Sequence, residues 1–367
     1  MRRIPISMVT PDMILAKDIW RETGLLLAKG IDHIERFREK LVINGVSSVY
    51  IEDGVSEDIY CEETVCENTR VKCNAVLNKT LYEASMTGRV DMSGAKDIIA
   101  NLVEELFSSS DVLLSMSDIG ASSSVTFKHS IDTTIYALYI GKMLGFSIDK
   151  IRTLGEGTLL HDIGKVALNQ DILYKTARLT SEERRHVQEH TVFGYKILKE
   201  ENIVSKEART ISLLHHERLD GTGYPYGLKE EEIPVFPRIV AIADVYDALT
   251  SERCYKPAMT NEKAVKILLE EADTKKLDPN IVTSFADKLA IYPNGIIVLL
   301  SDGQPAIVKK QNKGDVRSPI VRIIGFKNQS AYVVRDCDLT EERNLSIVKA
   351  NICIDDLGDD IKRQFAV

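Results

Sequence analysis

The chain is 367 residues long, 44% hydrophobic and 28% charged, enough for roughly two to three domains with buried cores. Its 47 basic residues against 55 acidic ones give a net charge of -8, which argues against the broad basic footprint of a duplex nucleic-acid binder. No apolar run reaches transmembrane length, and the basic start Met1-Arg2-Arg3 lacks the apolar stretch of a signal peptide, so a cytoplasmic location with no membrane span is expected.

Residues 1–58 read as a small α/β module. Met13 to Ile19 is a strand candidate, Thr23-Gly24 a turn and Leu25 to Ala28 a second strand. Ile31, Ile34, Phe37 and Leu41 share one helical face, Asn44-Gly45 stops that helix, and Val46 to Ile51 reads as a further strand. A receiver domain would need a longer alternation of strand and helix. Residues 59–114 are polar and helical, a linker whose apolar set Ile98, Ile99, Leu102, Val103 and Leu106 leads into the next domain.

Residues 115–290 carry helical periodicity throughout, with Ile131, Ile135, Leu138 and Met143 after His129, and Ile203, Ala208, Ile211 and Leu214 before a histidine pair. Strand alternation is absent, so a helical bundle is expected. After Pro293-Asn294-Gly295 the pattern changes. Ile296 to Leu300, the Asp302-Gly303 turn and Ala306 to Lys309 read as a hairpin, and Ile320 to Ile324 and Ala331 to Val334 add two strands. Residues 291–367 therefore form a small β domain, expected to be barrel-like.

Six cysteines are spread along the chain with no CxxC pair, which argues against a zinc ribbon or a thioredoxin-like site. The plain reading is reduced, packed thiols, with a redox or metal role left open for Cys61, Cys66 and Cys73.

The chemistry concentrates in one ordered series: His129, His161-Asp162, His190, His215-His216 and Asp244. Imidazoles and carboxylates at this density suit a cluster of transition metals rather than one structural ion. His161 and Asp162 are adjacent, so on a helix their side chains would diverge by about 100° and reach different points of one cluster. Singly, His129 or His190 reads as an ordinary helix histidine. His186-Val187-Gln188-Glu189-His190 also fits an inverted zinc-protease motif. That reading needs a distant third ligand and leaves the other pairs unexplained, which makes His186 a surface residue.

Three longer motifs accompany the series: His161-Asp162-Ile163-Gly164-Lys165, His215-His216-Glu217-Arg218-Leu219-Asp220-Gly221-Thr222-Gly223-Tyr224-Pro225, and Asp244-Val245-Tyr246-Asp247-Ala248-Leu249-Thr250. Over residues 115 to 290, about half the chain, they resemble the HD-GYP family, metal-dependent phosphodiesterases of cyclic di-GMP. The resemblance implies a multidomain, mainly α protein: a helical HD-type metal-binding bundle flanked by the small N-terminal α/β module and the small C-terminal β domain. Residues 1–58 resemble the small module found before HD-GYP domains in some bacterial proteins.

The resemblance further implies two divalent metal ions, iron first and manganese second. His129, His161 and Asp244 would hold one ion, His190, His215 and His216 the other, and Asp162 would bridge them and activate a shared hydroxide. One subset of the family is trinuclear and carries Glu four residues before the first His. Here that position is Val125, so a dinuclear site is expected. Lys165 would meet the scissile phosphate. Tyr224, Arg253 and Lys256 would contact the dinucleotide, and Asp247 would hydrogen-bond within the site, although Asp247 and Arg253 also fit a plain surface ion pair. Cyclic di-GMP would be cut to pGpG, and that in turn to GMP.

The GYP loop is also a proposed docking surface for diguanylate cyclases, and a homodimer through the helices before residue 115 is open. Two other readings stay open. One is a non-catalytic sensor of cyclic di-GMP or of a partner. The other is an HD phosphohydrolase for another nucleotide.

Overall fold

The computed structural model describes residues 1–21, 24–87, 90–108, 114, 125–200, 204–251, 258–327 and 331–352. The first module is built on a three-stranded antiparallel sheet in which β5 (Ser48–Glu52) runs between β1 (Arg2–Pro5) and β2 (Ile14–Leu15). A separate hairpin pairs β3 (Ile19–Arg21) with β4 (Gly24–Leu27). The single strand expected over Met13 to Ile19 is thus two. After the amide of Ala16 bonds the Tyr50 carbonyl at 2.8 Å, the chain turns at Asp18, whose Oδ1 accepts from the Lys29 amide at 2.7 Å. The face expected over Ile31 to Leu41 forms a 3₁₀ turn (Ile34–Phe37) running into α1 (Arg38–Ile43). Its Ile34 and Leu41 are buried with Ile4, Leu15 and Val49 in one small core. Thr23, Ile203, Cys254 and Cys353, and the side chain of Val125, lie outside the described residues.

Two long helices follow, α2 (Glu67–Thr87) and α3 (Met92–Ser108). The apolar stripe of α3, Ile98, Ile99, Leu102, Val103 and Leu106, is buried in the main core. That core continues through α4 (Val125–Met143) and α5 (Ile148–Leu159), skips α6 (Gln170–Leu173) and α7 (Ser181–Gln188), which bury no residue, and resumes in α8 (His190–Glu200), α9 (Lys206–Leu214), α10 (Val235–Thr250), α11 (Asn261–Asp273) and α12 (Pro279–Ala286). Side-chain caps set several helix starts. Ser147, Thr180, Ser205, Thr260 and Asp278 each accept a backbone N–H of the first turn. α4 and α10 pack against each other, and Ile131, Ile135, Leu138, Ile239 and Ile242 are at most 1% exposed. These two helices form the rigid floor of the site. Burying each such side chain stabilises the bundle by about 1.5–3 kcal/mol.

Residues 297–350 form a five-stranded antiparallel sheet of β6 (Ile297–Leu300), β7 (Pro305–Lys310), β8 (Ile320–Lys327), β9 (Ala331–Asp338) and β10 (Ile347–Ala350), in the order β10-β6-β7-β8-β9. The order is open, because β9 and β10 at its two edges do not pair among the described residues, so the expected barrel is a single sheet. Closure is unnecessary because both faces are covered. One packs Val298, Ala306, Val308 and Val321 in its own core. The other packs Ile297, Ile307 and Ile324 against Tyr50, Ile59 and Cys61 of the first module. Polar contacts join the same two regions. The Arg3 amide donates to the Gly295 carbonyl at 2.9 Å, and Arg322 reaches both Asp58 and Asp336 at 2.8 Å.

Candidate metal centre

Ends of three helices converge on the floor made by α4 and α10. α5 stops at Leu159, and His161 and Asp162 stand in the turn that follows, ahead of a 3₁₀ turn over Ile163–Ala167. The helix expected beneath His161-Asp162 is therefore absent, and the turn itself splays the two side chains. Gly164 makes this possible: a Cβ there would lie 1.9 Å from the His190 carbonyl oxygen, so only glycine lets the turn press against the start of α8. His190 is the first residue of α8, and His215 caps the end of α9 with His216 after it. Ser212 ties two of these ends together by donating to the His161 carbonyl at 2.8 Å.

The ligand-capable atoms fall into two groups. Those of Asp162, His190, His215 and His216 lie within 4.8 Å of one another, and so do those of His129, His161 and Asp244. Asp162 faces both groups. Its Oδ2 is 3.5 Å from His161 Nε2 and 3.9 Å from His129 Nε2, while its Oδ1 is 3.4 Å from His190 Nε2 and 3.9 Å from His215 Nε2. Asp244 closes the ring from α10, with Oδ1 3.2 Å from His129 Nε2 and Oδ2 3.7 Å from His216 Nδ1.

The imidazoles are held in one orientation from behind. Nδ1 of His161 donates to the Thr158 carbonyl at 2.7 Å, Nδ1 of His190 to Val187 at 2.7 Å, and Nδ1 of His215 to Ile211 at 3.0 Å. That fixes the tautomer and leaves the Nε2 lone pair facing inward. Nε2 of His161, His190 and His215 and Oδ1 of Asp162 are all buried with no hydrogen-bond partner. Burying unmatched polar atoms is costly, and four aimed at one another demand a shared positive charge. The residues therefore fit divalent metal.

Electrostatics point the same way. Burial holds the His161, His190 and His215 imidazoles below their ordinary range, hence neutral and able to ligate. Burial opposes the charged form of Asp162, but Lys165, with His129, outweighs it and holds the carboxyl well below the usual range. His129 differs. Burial would lower it, yet the Asp244 and Asp247 carboxylates push it up to about 10.

The other expected site residues are placed as follows. Lys165 lies on the 3₁₀ turn, three residues after Asp162, and its ammonium pairs with Asp162 Oδ2. Asp247, one turn beyond Asp244 on α10, is 1% exposed and sits behind His129 rather than on the surface. The Tyr224 ring lies 4.7 Å from that of His216. Arg253 and Lys256 lie outside the described residues. His186 stands apart from the cluster, accepting the Asn169 amide at 3.2 Å and facing Glu189 at 2.8 Å.

One residue of the site was not singled out in the sequence. Glu217 is 3% exposed, and its carboxylate accepts the amides of Tyr226 at 2.7 Å and Leu228 at 3.0 Å, pinning the far side of the GYP loop. Gly223 completes the fold-back, since a Cβ there would lie 2.4 Å from the Arg218 nitrogen. The signal available in the sequence was a carboxylate directly after a histidine pair and before a glycine-rich turn.

Comparison with known proteins agrees with this geometry. Residues 99–281 match the HD domain family. The cyclic di-GMP phosphodiesterase PA4108 of Pseudomonas aeruginosa is 28% identical over 354 residues, covering 88% of this chain and 85% of its own. The cyclic di-GMP phosphodiesterase response regulator RpfG of Xanthomonas campestris is 40% identical over 144 residues, covering 39% of this chain and 38% of its own. The 3'3'-cGAMP-specific phosphodiesterase 3 of Vibrio cholerae is 36% identical over 176 residues, covering 48% of this chain and 38% of its own. The chain thus spans most of the Pseudomonas relative and well under half of the other two. With an HD domain and the histidine, aspartate and GYP-loop motifs folded around one cluster, the chain belongs to the HD-GYP family.

Proposed function

We propose that the protein is a metal-dependent phosphodiesterase that hydrolyses cyclic di-GMP to pGpG and then to GMP in bacterial second-messenger signalling. The observation that carries this reading is the pair of ligand groups sharing Asp162, with partnerless buried atoms turned inward beside the GYP loop. When bound, two divalent ions would supply Lewis acidity toward phosphoryl oxygens and acidify water to a nucleophile near neutral pH. Mixed nitrogen and oxygen donors favour iron, with manganese second.

The chain's own residues take distinct roles in this proposal. Asp162, which faces both groups, would serve both ions. His129, His161 and Asp244 would hold the first, and His190, His215 and His216 the second. Asp247 orients His129. Lys165 supplies an ammonium for charge building on the phosphoryl oxygens. Tyr224 offers a flat ring, and burial together with the Asp244 and Asp162 carboxylates pushes its hydroxyl up, keeping it a hydrogen-bond donor. Arg253 and Lys256 take the dinucleotide's phosphates or bases.

The proposed layout is residues 1–58, 59–114, 115–290 and 291–367. The proposed location is the cytoplasm; no described helix is long and apolar enough to cross a membrane. Tyr226, 62% exposed on the GYP loop, supports docking of diguanylate cyclase domains there. Tyr82 and Met86, 67% and 70% exposed on α2, support a homodimer through the linker helices.

The Vibrio relative specific for 3'3'-cGAMP supports a second reading, in which another cyclic dinucleotide is the substrate. The test is to purify the protein without oxygen, count its iron and manganese, and follow a panel of cyclic dinucleotides by chromatography. Conversion of cyclic di-GMP to pGpG or GMP, lost on chelation and restored by metal, supports the proposal. Preferred cleavage of another cyclic dinucleotide selects the second reading. Binding by the metallated protein without turnover selects a sensor.

A further inference from the structure

Outside the residues that match the HD domain, a run of alternating charge leads into the metal centre. Lys17 Nζ lies 3.5 Å from Glu63 Oε1, the same oxygen lies 3.9 Å from Arg70 Nη2, and Arg70 Nη1 lies 4.0 Å from Asp132 Oδ1. The side chains of Glu63, Arg70 and Asp132 are only 10%, 7% and 5% exposed, so these charges are screened little by water. Arg70 stands in the first turn of α2, which packs against β3, α4 and the 3₁₀ turn over Ile163–Ala167. Asp132 lies on α4 one turn beyond His129, on the same side of that helix. A buried carboxylate needs compensating charge, and one cation that reaches Asp132 comes from α2, outside the helix that carries it.

We propose that Arg70 is a positioning residue for the metal centre: by holding Asp132 it fixes the turn of α4 that carries His129, and with it the group His129, His161 and Asp244. The inference rests on reading that cluster as a metal site. It makes the linker helix part of the catalytic unit. Through Glu63 and Lys17 it also makes residues 1–58 bear on the group His129, His161 and Asp244.

The experiment compares the full chain with its Arg70→Met and Arg70→Lys variants. Each is stripped and titrated with Mn²⁺ without oxygen, with bound metal counted, folding followed by circular dichroism, and kcat and KM measured on cyclic di-GMP. The expected result is a folded Arg70→Met protein that binds one ion as the parent does and the other about 10- to 100-fold more weakly, the usual range for losing a group that orients a ligand. Its kcat should fall by a similar factor at unchanged KM, and Arg70→Lys should recover most of both. Parent-like affinity for both ions in Arg70→Met overturns the proposal. So does equal loss of both ions with no recovery in Arg70→Lys, which marks a purely structural role. If Arg70→Met does not fold, Asp132→Asn decides: selective loss of one ion supports the proposal, and parent-like binding of both overturns it. A parent that binds two ions but cleaves no cyclic dinucleotide defeats the proposed function alone, because the Mn²⁺ titrations still judge Arg70.

Discussion

The carboxylate of Asp247 stands 2.6 Å from Nδ1 of His129, and its other oxygen accepts the Ser251 hydroxyl at 2.9 Å. One helix therefore contributes both a candidate ligand, Asp244, and the group that aims a histidine on the neighbouring helix. Asp247→Ala should keep the fold, because α10 retains its apolar contacts, yet weaken metal binding or turnover by about 10- to 100-fold. Metal titration beside steady-state kinetics checks this, and parent-like values in both would reject the orienting role.

Metal should also act as a stabilising ligand. The inward Nε2 atoms of His161, His190 and His215 are left unmatched without it, so cations bind the folded chain in preference to the unfolded one. At free metal about 100-fold above Kd this linkage is worth about 2.7 kcal/mol. A chelator should therefore lower the melting temperature of the parent but not of Asp162→Ala. Asp162→Ala and His161→Ala should both lose turnover while staying folded. Undiminished turnover in both would sink the metal mechanism.

Glu217 gives a loop prediction. Hydrogen bonds to a charged acceptor contribute about 1.5–3 kcal/mol, and Glu217 accepts two from the GYP loop. Glu217→Ala should free that loop while sparing the metal count, raising KM and speeding limited proteolysis between residues 220 and 228. Unchanged proteolysis and kinetics would show that the loop is held by its other contacts.

The linker carries a pH signature. Burial pushes the Glu67 carboxyl up to about 7 from an ordinary 4.5, with Glu63 adding to the rise and Arg70 opposing it. A carboxyl raised in the native state binds its proton more tightly there than in the unfolded chain. Its contribution is thus complete below about pH 4.5 and is lost as pH rises through 7. Glu67→Gln should therefore stabilise the protein at pH 8, by on the order of 1–3 kcal/mol, and change little at pH 4. Denaturant midpoints at the two pH values measure this, and an equal shift at both would assign the effect to something other than titration.

How far the sequence could be read depended on whether a contact is local. His161-Asp162, His215-His216 and Asp244 sit in short motifs, so the members of the cluster were visible before any fold was. The stripe of Ile98, Ile99, Leu102, Val103 and Leu106 announced α3 for the same reason. Glu217 and Arg70 were not visible. Glu217 acts nine and eleven residues downstream, and Arg70 acts on a residue 62 positions away, so neither leaves a periodic trace. The helix expected at His161 failed because close approach to α8, permitted by Gly164, overrides helix continuation. The short β10 was missed because Ile347 to Ala350 is four residues long and does not alternate, and its pairing with β6 bridges nearly fifty. The open sheet order follows from burial against residues 50–61, which no window of the last domain contains.

The shared core of Tyr50, Ile59, Cys61, Ile297, Ile307 and Ile324 makes the helical bundle, in topological terms, an insertion into a single lobe. The chain leaves that lobe and returns to it side by side, where Asn294 donates to the Tyr60 carbonyl at 2.9 Å. Any rigid-body rocking of the lobe would thus be delivered at one hinge line, with α2 as a lever beside it. A catalytic fragment trimmed from one end alone would keep half a lobe with its apolar face bare, whereas trimming both ends together would leave the insertion closed on itself.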